Sequence, residues 1–345
     1  MNNDADSNQH YITKSFVRER FGNNGLVQKY YVQWNSWKSN ASPQFVFSAD
    51  GYTQLLVKGE PVDNSLEDLF NKVENKLWRL YPVLDAAAET EVTPVSEDNY
   101  NTLCEYCAYL WHLSPFAKAK APADYVMQLN EDLKRGHVKN LQALGMTERD
   151  IATMQKLHAE GWKFILSGDN HLQFVFRIQT MRNVLFTALK FRRHVKWTVW
   201  NSPIGLPISD IALIDFPEKI DNAGLYILPI SPHRVLIGKF EYGMQLSHTN
   251  DTVLYGNTLS QDSAERVLDI ICRSAIRAVA CKKRIDIEAS RKRADRNGIA
   301  FTKIKNLDAV LSAGEKTFDL ARDFRHIPVS PDEFTKYILS FLEPP

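Results

Sequence analysis

The chain has 345 residues, 44% of them apolar and 24% charged, a balance that excludes a disordered, collagen-like or disulfide-scaffold protein. Lys plus Arg number 42 against 41 Asp plus Glu, a net of +1, so no global field draws the chain to nucleic acid or to a membrane surface. Four cysteines without framework spacing point to reduced, buried thiols. The opening MNNDADSNQHYITK lacks the basic patch and apolar stretch of an export signal, and the most apolar segment, 172–191, is interrupted by Arg177, Arg182 and Lys190. The expected setting is cytoplasmic, with no membrane partner.

After Gly22-Asn23-Asn24-Gly25, β-branched and aromatic residues over 26–33 predict a strand. Shorter strands follow at 45–47 and 54–58, around a turn at Ala49-Asp50-Gly51. Asp63 and Asn64 are placed to cap a helix in which Leu66, Leu69, Phe70, Val73, Leu77 and Leu80 recur at helical spacing. From Ser96 to Arg193 the pattern is almost wholly helical. Ser96 caps a helix ending near Pro115, and others follow at 125–135, 138–144 and 147–158, the last opened by Thr147 and Asp150. A long helix over 172–194 places Phe174, Ile178, Met181, Leu185 and Leu189 on one face.

The period then changes to two. Short strands at 197–200, 206–208, 212–214, 225–228 and 235–237 alternate with prolines and glycines. One helix is predicted from Ser260 to Asn297, where Gly298 stops it, and a short helix over 332–342. The fold class is α+β: an antiparallel sheet of the N-terminal and 197–240 strands, packed against a helical insertion (96–195) and the long C-terminal helix. Residues 9–297 would form one domain and 298–345 a C-terminal extension.

Strong catalytic signatures are absent: no Gly-rich dinucleotide fingerprint, HExxH, GxSxG or EF-hand loop occurs. Cys104 and Cys107 form a CxxC inside an apolar helical pattern, and Cys272 and Cys281 fall on opposite faces of the predicted 260–297 helix, so both pairs read as buried thiols. Charge is uneven, however. Residues 264–305 hold twelve Lys or Arg against five Asp or Glu, concentrated in Lys282, Lys283 and Arg284 and in Arg291, Lys292, Arg293 and Arg296. Such a cluster either neutralises phosphates or complements the helix C-terminus. A second set, Arg192, Arg193, His194 and Lys196, precedes Trp197 and Trp200, as in a base-stacking surface or a helix end entering a half-buried strand.

Four segments carry a family likeness. Gln9-His10-Tyr11-Ile12-Thr13-Lys14-Ser15-Phe16-Val17 looks like a Q-H-Y-x-P-x-x-Y-L opening, with Thr13 in place of the proline. Leu103 to Pro115 is similar to a helix ending in R-T-P, without the arginine, and Ile208-Ser209-Asp210-Ile211-Ala212-Leu213 follows a tryptophan-bearing strand as a T-S-D-x-P-V segment does. Pro229-Ile230-Ser231-Pro232 matches P-L-S-P, and Asn257 stands at the mouth of the last long helix. In this order and spacing, residues 9–280 resemble the bacterial family called domain of unknown function 4238.

The resemblance implies a bacterial accessory protein, associated with phage defence, and carries over no established activity. Asp210 stands where an apolar strand ends, a position from which a carboxylate binds a divalent metal, acts as a base or orients a histidine, or caps a turn. His10 is its leading partner, the ionisable side chain of the opening segment that titrates near neutrality. The expected function is an enzyme acting on nucleic acid or nucleotides, a metal-dependent nuclease, with His10 and Asp210 catalytic and Asp210 on the metal. Lys14, Arg18, Ser209, Ser231, Asn257, Lys282, Lys283 and Arg284 would bind substrate. The alternative is a non-catalytic sensor or adaptor binding protein or nucleic acid through the same surface.

Overall fold

A computed structural model describes residues 8–50, 55–57, 60–63, 65–143, 146–161, 163–165, 169–217, 224–240, 252–299 and 317–319. The chain begins with β1 (Asn8–His10), α1 (Lys14–Phe16) continued by a π-helical turn over Val17–Phe21, β2 (Val27–Tyr31), β3 (Ser36–Ala41) and β4 (Ser48–Asp50). There follow β5 (Leu55–Val57), β6 (Glu60–Asp63), α2 (Ser65–Glu74), α3 (Leu77–Glu89), β7 (Val92–Pro94), α4 (Glu97–His112), α5 (Pro115–Arg135), α6 (Val138–Ala143), α7 (Glu148–Ala159), β8 (Lys163–Ile165) and α8 (Asp169–His194). The rest is β9 (Val195–Asn201), β10 (Ile208–Ser209), β11 (Ile214–Pro217), β12 (Gly224–Ser231), β13 (Arg234–Phe240), β14 (Val253–Thr258), α9 (Gln261–Ser274), β15 (Ala278–Cys281), α10 (Ile287–Arg296) and β16 (Thr317–Asp319). The fold is α+β, and among the described residues no helix is long and apolar enough to cross a membrane.

The chain divides into two compact units, the first made of residues 1–52, 69–115 and 184–302 and the second of 53–68, 116–183 and 303–345. In the first, the strands lie in separate sheets. Six run in the order β11-β12-β13-β9-β14-β7, antiparallel except for the parallel β9–β14 pair, and four run β10-β15-β2-β3, antiparallel throughout. The N-terminal strands β2 and β3 therefore reach the 197–240 region only through β15 and the two-residue β10. Residues 45–47, expected as a strand, instead end a 3-10 turn begun by Pro43, and Ala49 and Asp50 lie in β4 rather than in a turn.

Strand alternation sets the main core. Val195, Trp197 and Val199 of β9 point inward, and the Trp197 ring meets Phe191 edge-on at 5.6 Å between centroids. The ring fits because its β13 neighbour is Gly238, where an added Cβ would lie 2.5 Å from Trp197 Cζ3. Trp197 is thus core, as the reading of a helix end entering a half-buried strand has it, and the base-stacking alternative is closed for this ring. Among the described side chains of α8 the buried apolar residues are Met181, Val184, Ala188 and Phe191, while Leu185 and Leu189, expected inside, are 43% and 48% exposed. Apolar residues surround this part of the helix, so their spacing alone did not define its inner face.

The second unit has its own core, with Tyr125, Leu129, Leu133, Leu141, Ile151 and Phe164 among its buried members. Its α5–α6 connection is closed by the buried Asp132 carboxylate, which accepts from Gln128, Asn140 and, at 3.3 Å, the His137 ring.

The helix expected from Ser260 to Asn297 does not exist as one element. Ser260 caps α9 as expected, but the helix ends at Ser274, the chain extends at Ala275, and β15 and α10 follow. Two distant side chains make the break. Asp210 captures the amides of Ile276 and Arg277 at 2.9 and 2.7 Å, and Arg291 donates to the Cys272 and Ala275 carbonyls that α9 leaves open. Cys281 consequently lies in β15, not on the helix of Cys272. The short helix expected over 332–342 lies outside the described residues, as does most of the expected 298–345 extension.

Candidate functional site

Asp210 follows β10 and is fully buried. Its two carboxylate oxygens each accept one backbone amide, and its own amide donates to the Ala278 carbonyl at 3.0 Å. Burial pushes its pKa up to about 6, against the opposing pull of those backbone amides and of the Arg277 guanidinium. The residue ties the α9–β15 connection to β10, with Ser209 beside it hydrogen-bonded to the Ile211 carbonyl and 3.2 Å from the Ser274 hydroxyl. His10 lies in a different pair of strands, opposite Ser48 of β4. Tyr11, next to His10, feels the Asp210 charge, and its ionisation is opposed first by burial and then by Asp210.

Asp210 is buried and each of its oxygens accepts one backbone amide, which is the geometry of a carboxylate that caps a turn. Among the described residues no group of three or more His, Cys, Asp or Glu side chains is placed to hold a metal ion. The four thiols are buried, and Cys104 and Cys281 are pushed up to about 12 by desolvation, which leaves them protonated and inert.

The expected substrate-binding residues are dispersed. Lys14 is exposed on α1, and Arg18 is exposed but paired with Glu19 at 3.1 Å. Ser231 ends β12 opposite Arg234, beside an irregularity in pairing, and the Asn257 side chain accepts from the Thr258 amide. The basic stretch splits by role. Arg273 pairs with Asp295, Arg293 with the buried Asp269, and Arg291 serves the end of α9, so these three cations hold α9 and α10 together. Lys282 and Lys283 are exposed in the connection after β15, and no carboxylate among the described residues pairs with either.

That connection runs beside the β2–β3 hairpin. Arg284 donates to Gln28 Oε1 of β2 at 3.4 Å and to the Ser39 hydroxyl of β3, and its guanidinium lies 5.7 Å from the Trp37 ring centroid. On that face Trp37 packs on Tyr30, whose hydroxyl donates to Glu288 of α10 at 2.5 Å. On the other face Lys29 and Lys38 stand directly opposite each other. Lys29 is buried, donates to the Phe45 carbonyl at 2.7 Å and lies 4.5 Å from the Tyr31 centroid. Its ammonium is pushed down to about 8, by burial first and by the like charge of Lys38 second.

The hairpin loop continues the row. Trp34 is 65% exposed with its ring 5.0 Å from that of Tyr31, and Asn35 closes the loop with φ of 45°, in the left-handed region that Asn tolerates. A bulge follows in β3, where Ser39 and Asn40 face Gln28, with Asn40 at φ 52°. Lys38, Trp34 and Trp37 were not singled out by sequence. A short hairpin of two aromatics and a lysine next to Asn-Gly signals was the only cue available, and its basic neighbour lies some 240 residues away (Ser39 to Arg284 is 245).

Comparison with family models, with curated proteins and with solved structures returns no match.

Proposed function

We propose that this chain is a nucleic-acid-binding module that holds its ligand through the phosphate backbone and performs no chemistry on it. One observation carries the reading: Arg284 reaches across β2 to Ser39 of β3, the strand that carries Lys38, and the exposed Lys282 and Lys283 immediately precede it in the same turn. Cations from segments distant in sequence gather there, in a chain whose net charge is only +1. A local field of this kind attracts a polyanion even though the whole molecule is nearly neutral. The alternative nuclease reading has less support, because Asp210 spends both oxygens on backbone amides.

The test uses fluorescently labelled 20-nucleotide DNA and RNA, single-stranded and duplex, at 50 mM salt, with and without Mg2+ or Mn2+. Binding without cleavage is expected, weakened by Lys282→Ala/Lys283→Ala and unchanged by Asp210→Asn. Absence of binding to every substrate would sink the proposal. Metal-dependent cleavage that Asp210→Asn abolishes would restore the nuclease.

A further inference from the structure

Building on that reading, we infer that the β2–β3 hairpin selects single strands, with a base stacked on the exposed ring of Trp34 and the following phosphates on Lys38 and the 282–284 turn. A duplex hides the faces of its bases within the stack, whereas a single strand presents them to any aromatic ring that reaches out. Trp34 is such a ring. It projects from a hairpin loop, it is exposed over about two-thirds of its surface, and it is backed by Tyr31 at 5.0 Å. Tyr31 is in turn backed by the Lys29 ammonium at 4.5 Å, so the aromatic pair is supported from within the fold.

The cations are disposed for the same ligand. Like charges directly opposite each other on an antiparallel pair are destabilising, yet Lys29 faces Lys38 across β2 and β3. Lys29 is held by the Phe45 carbonyl and feels the Asp210 charge, so the exposed Lys38 is the member of the pair open to a phosphate. On the opposite face of the same edge strand, Arg284 reaches Ser39 and the Trp37 ring, with Lys282 and Lys283 preceding it in the turn, so a strand leaving Lys38 would meet them by passing over the edge. From the loop to the bulge this edge covers six residues of β3, roughly 20 Å of extended chain, enough for a short stretch of single strand rather than a long footprint.

The experiment compares a labelled 12-nucleotide single strand with its duplex and with heparin, using wild type, Trp34→Ala, Trp34→Phe and Lys282→Ala/Lys283→Ala, each checked for an unchanged melting temperature. Stacking of one base is worth about 5- to 150-fold in affinity. Trp34→Ala should lower single-strand affinity by about that factor, Trp34→Phe should recover most of it, and neither should alter duplex or heparin binding. The lysine pair should weaken all three ligands. If Trp34→Ala leaves single-strand binding intact while the lysine pair weakens it, the stacking inference fails and phosphate binding stands. If nothing binds, or the lysine pair changes nothing, the nucleic-acid reading fails with it.

Discussion

Removing Lys282 and Lys283 together tests the phosphate reading through its salt dependence, which a merely destabilised protein does not reproduce. Four exposed cations flank the edge: Lys38, Lys282, Lys283 and Arg284. If each neutralises one phosphate of a single strand, log K should fall with log salt at a slope of about −2.8, since each contact contributes roughly 0.7. Between 50 and 200 mM salt the wild type should then lose about 50-fold in affinity, whereas Lys282→Ala/Lys283→Ala, with half the contacts, should lose only about 7-fold at a slope near −1.4. Anisotropy titrations at five salt concentrations measure both slopes. The two side chains are exposed and, among the described residues, unpaired, so the fold should be indifferent to their loss. A slope that stays within about 0.3 of the wild type would refute the assignment of these lysines to the phosphate contact.

Three further outcomes follow from the same packing. Asp85 accepts two hydrogen bonds from Arg20, at 2.9 and 2.6 Å, and one from Arg234 at 2.5 Å, and these, Arg20 first, hold its carboxyl below the usual range despite partial burial. Asp85→Ala leaves the Arg20 side chain only 12% exposed without its carboxylate; after discounting for the partial exposure of Asp85 the loss is about 2–3 kcal/mol, or roughly 4–12 °C in Tm. Because the folded state depresses this acid, its contribution is present above about pH 4 and fades as pH falls, so the Tm gap should narrow toward pH 3, and a gap independent of pH would count against the network. Asp210 has the opposite sign: raised to about 6, it contributes most below about pH 4 and loses up to roughly 3 kcal/mol by pH 6, so the difference in Tm should move in favour of Asp210→Asn across that window, and a constant difference would refute it. Gly256→Ala would set a Cβ 2.1 Å from the Thr90 carbonyl oxygen and 2.2 Å from that of Ala87, which no side-chain rotation relieves; a loss of about 3 kcal/mol or more is expected, and a Tm within 2 °C of wild type would show that β14 yields.

What the sequence made legible was local. The caps at Ser96 and Ser260 and the reciprocal Thr147–Asp150 box are present as read, because their donors and acceptors sit within three residues of one another. The break after Ser274 was not legible, because the helical pattern of 260–297 contains no stop signal at 275 and the groups that impose one, Asp210 and Arg291, act 66 and 16 residues away. The same cause misdirected the reading of Asp210. A carboxylate after a strand looks alike whether it faces solvent, a metal or two backbone amides, and only the fold says which. The basic stretch was read as one helix face and is three things: a clamp between α9 and α10, a service to the end of α9, and an exposed turn.

The β3 edge has reasons of its own to look as it does. An open edge strand invites pairing with another chain, and a lysine and a bulge are the usual means of blunting it, so Lys38 and the Asn40 bulge need no ligand to explain them. Edge protection does not, however, account for Trp34. An exposed tryptophan at a hairpin tip makes an edge stickier rather than safer, and it costs solvation that a polar loop residue would have kept. Lys29 is accounted for by the fold, since it donates to the Phe45 carbonyl and lies over the Tyr31 ring. The feature that protection leaves over is an aromatic platform beside exposed lysines, and a single-stranded polyanion is the ligand that uses both.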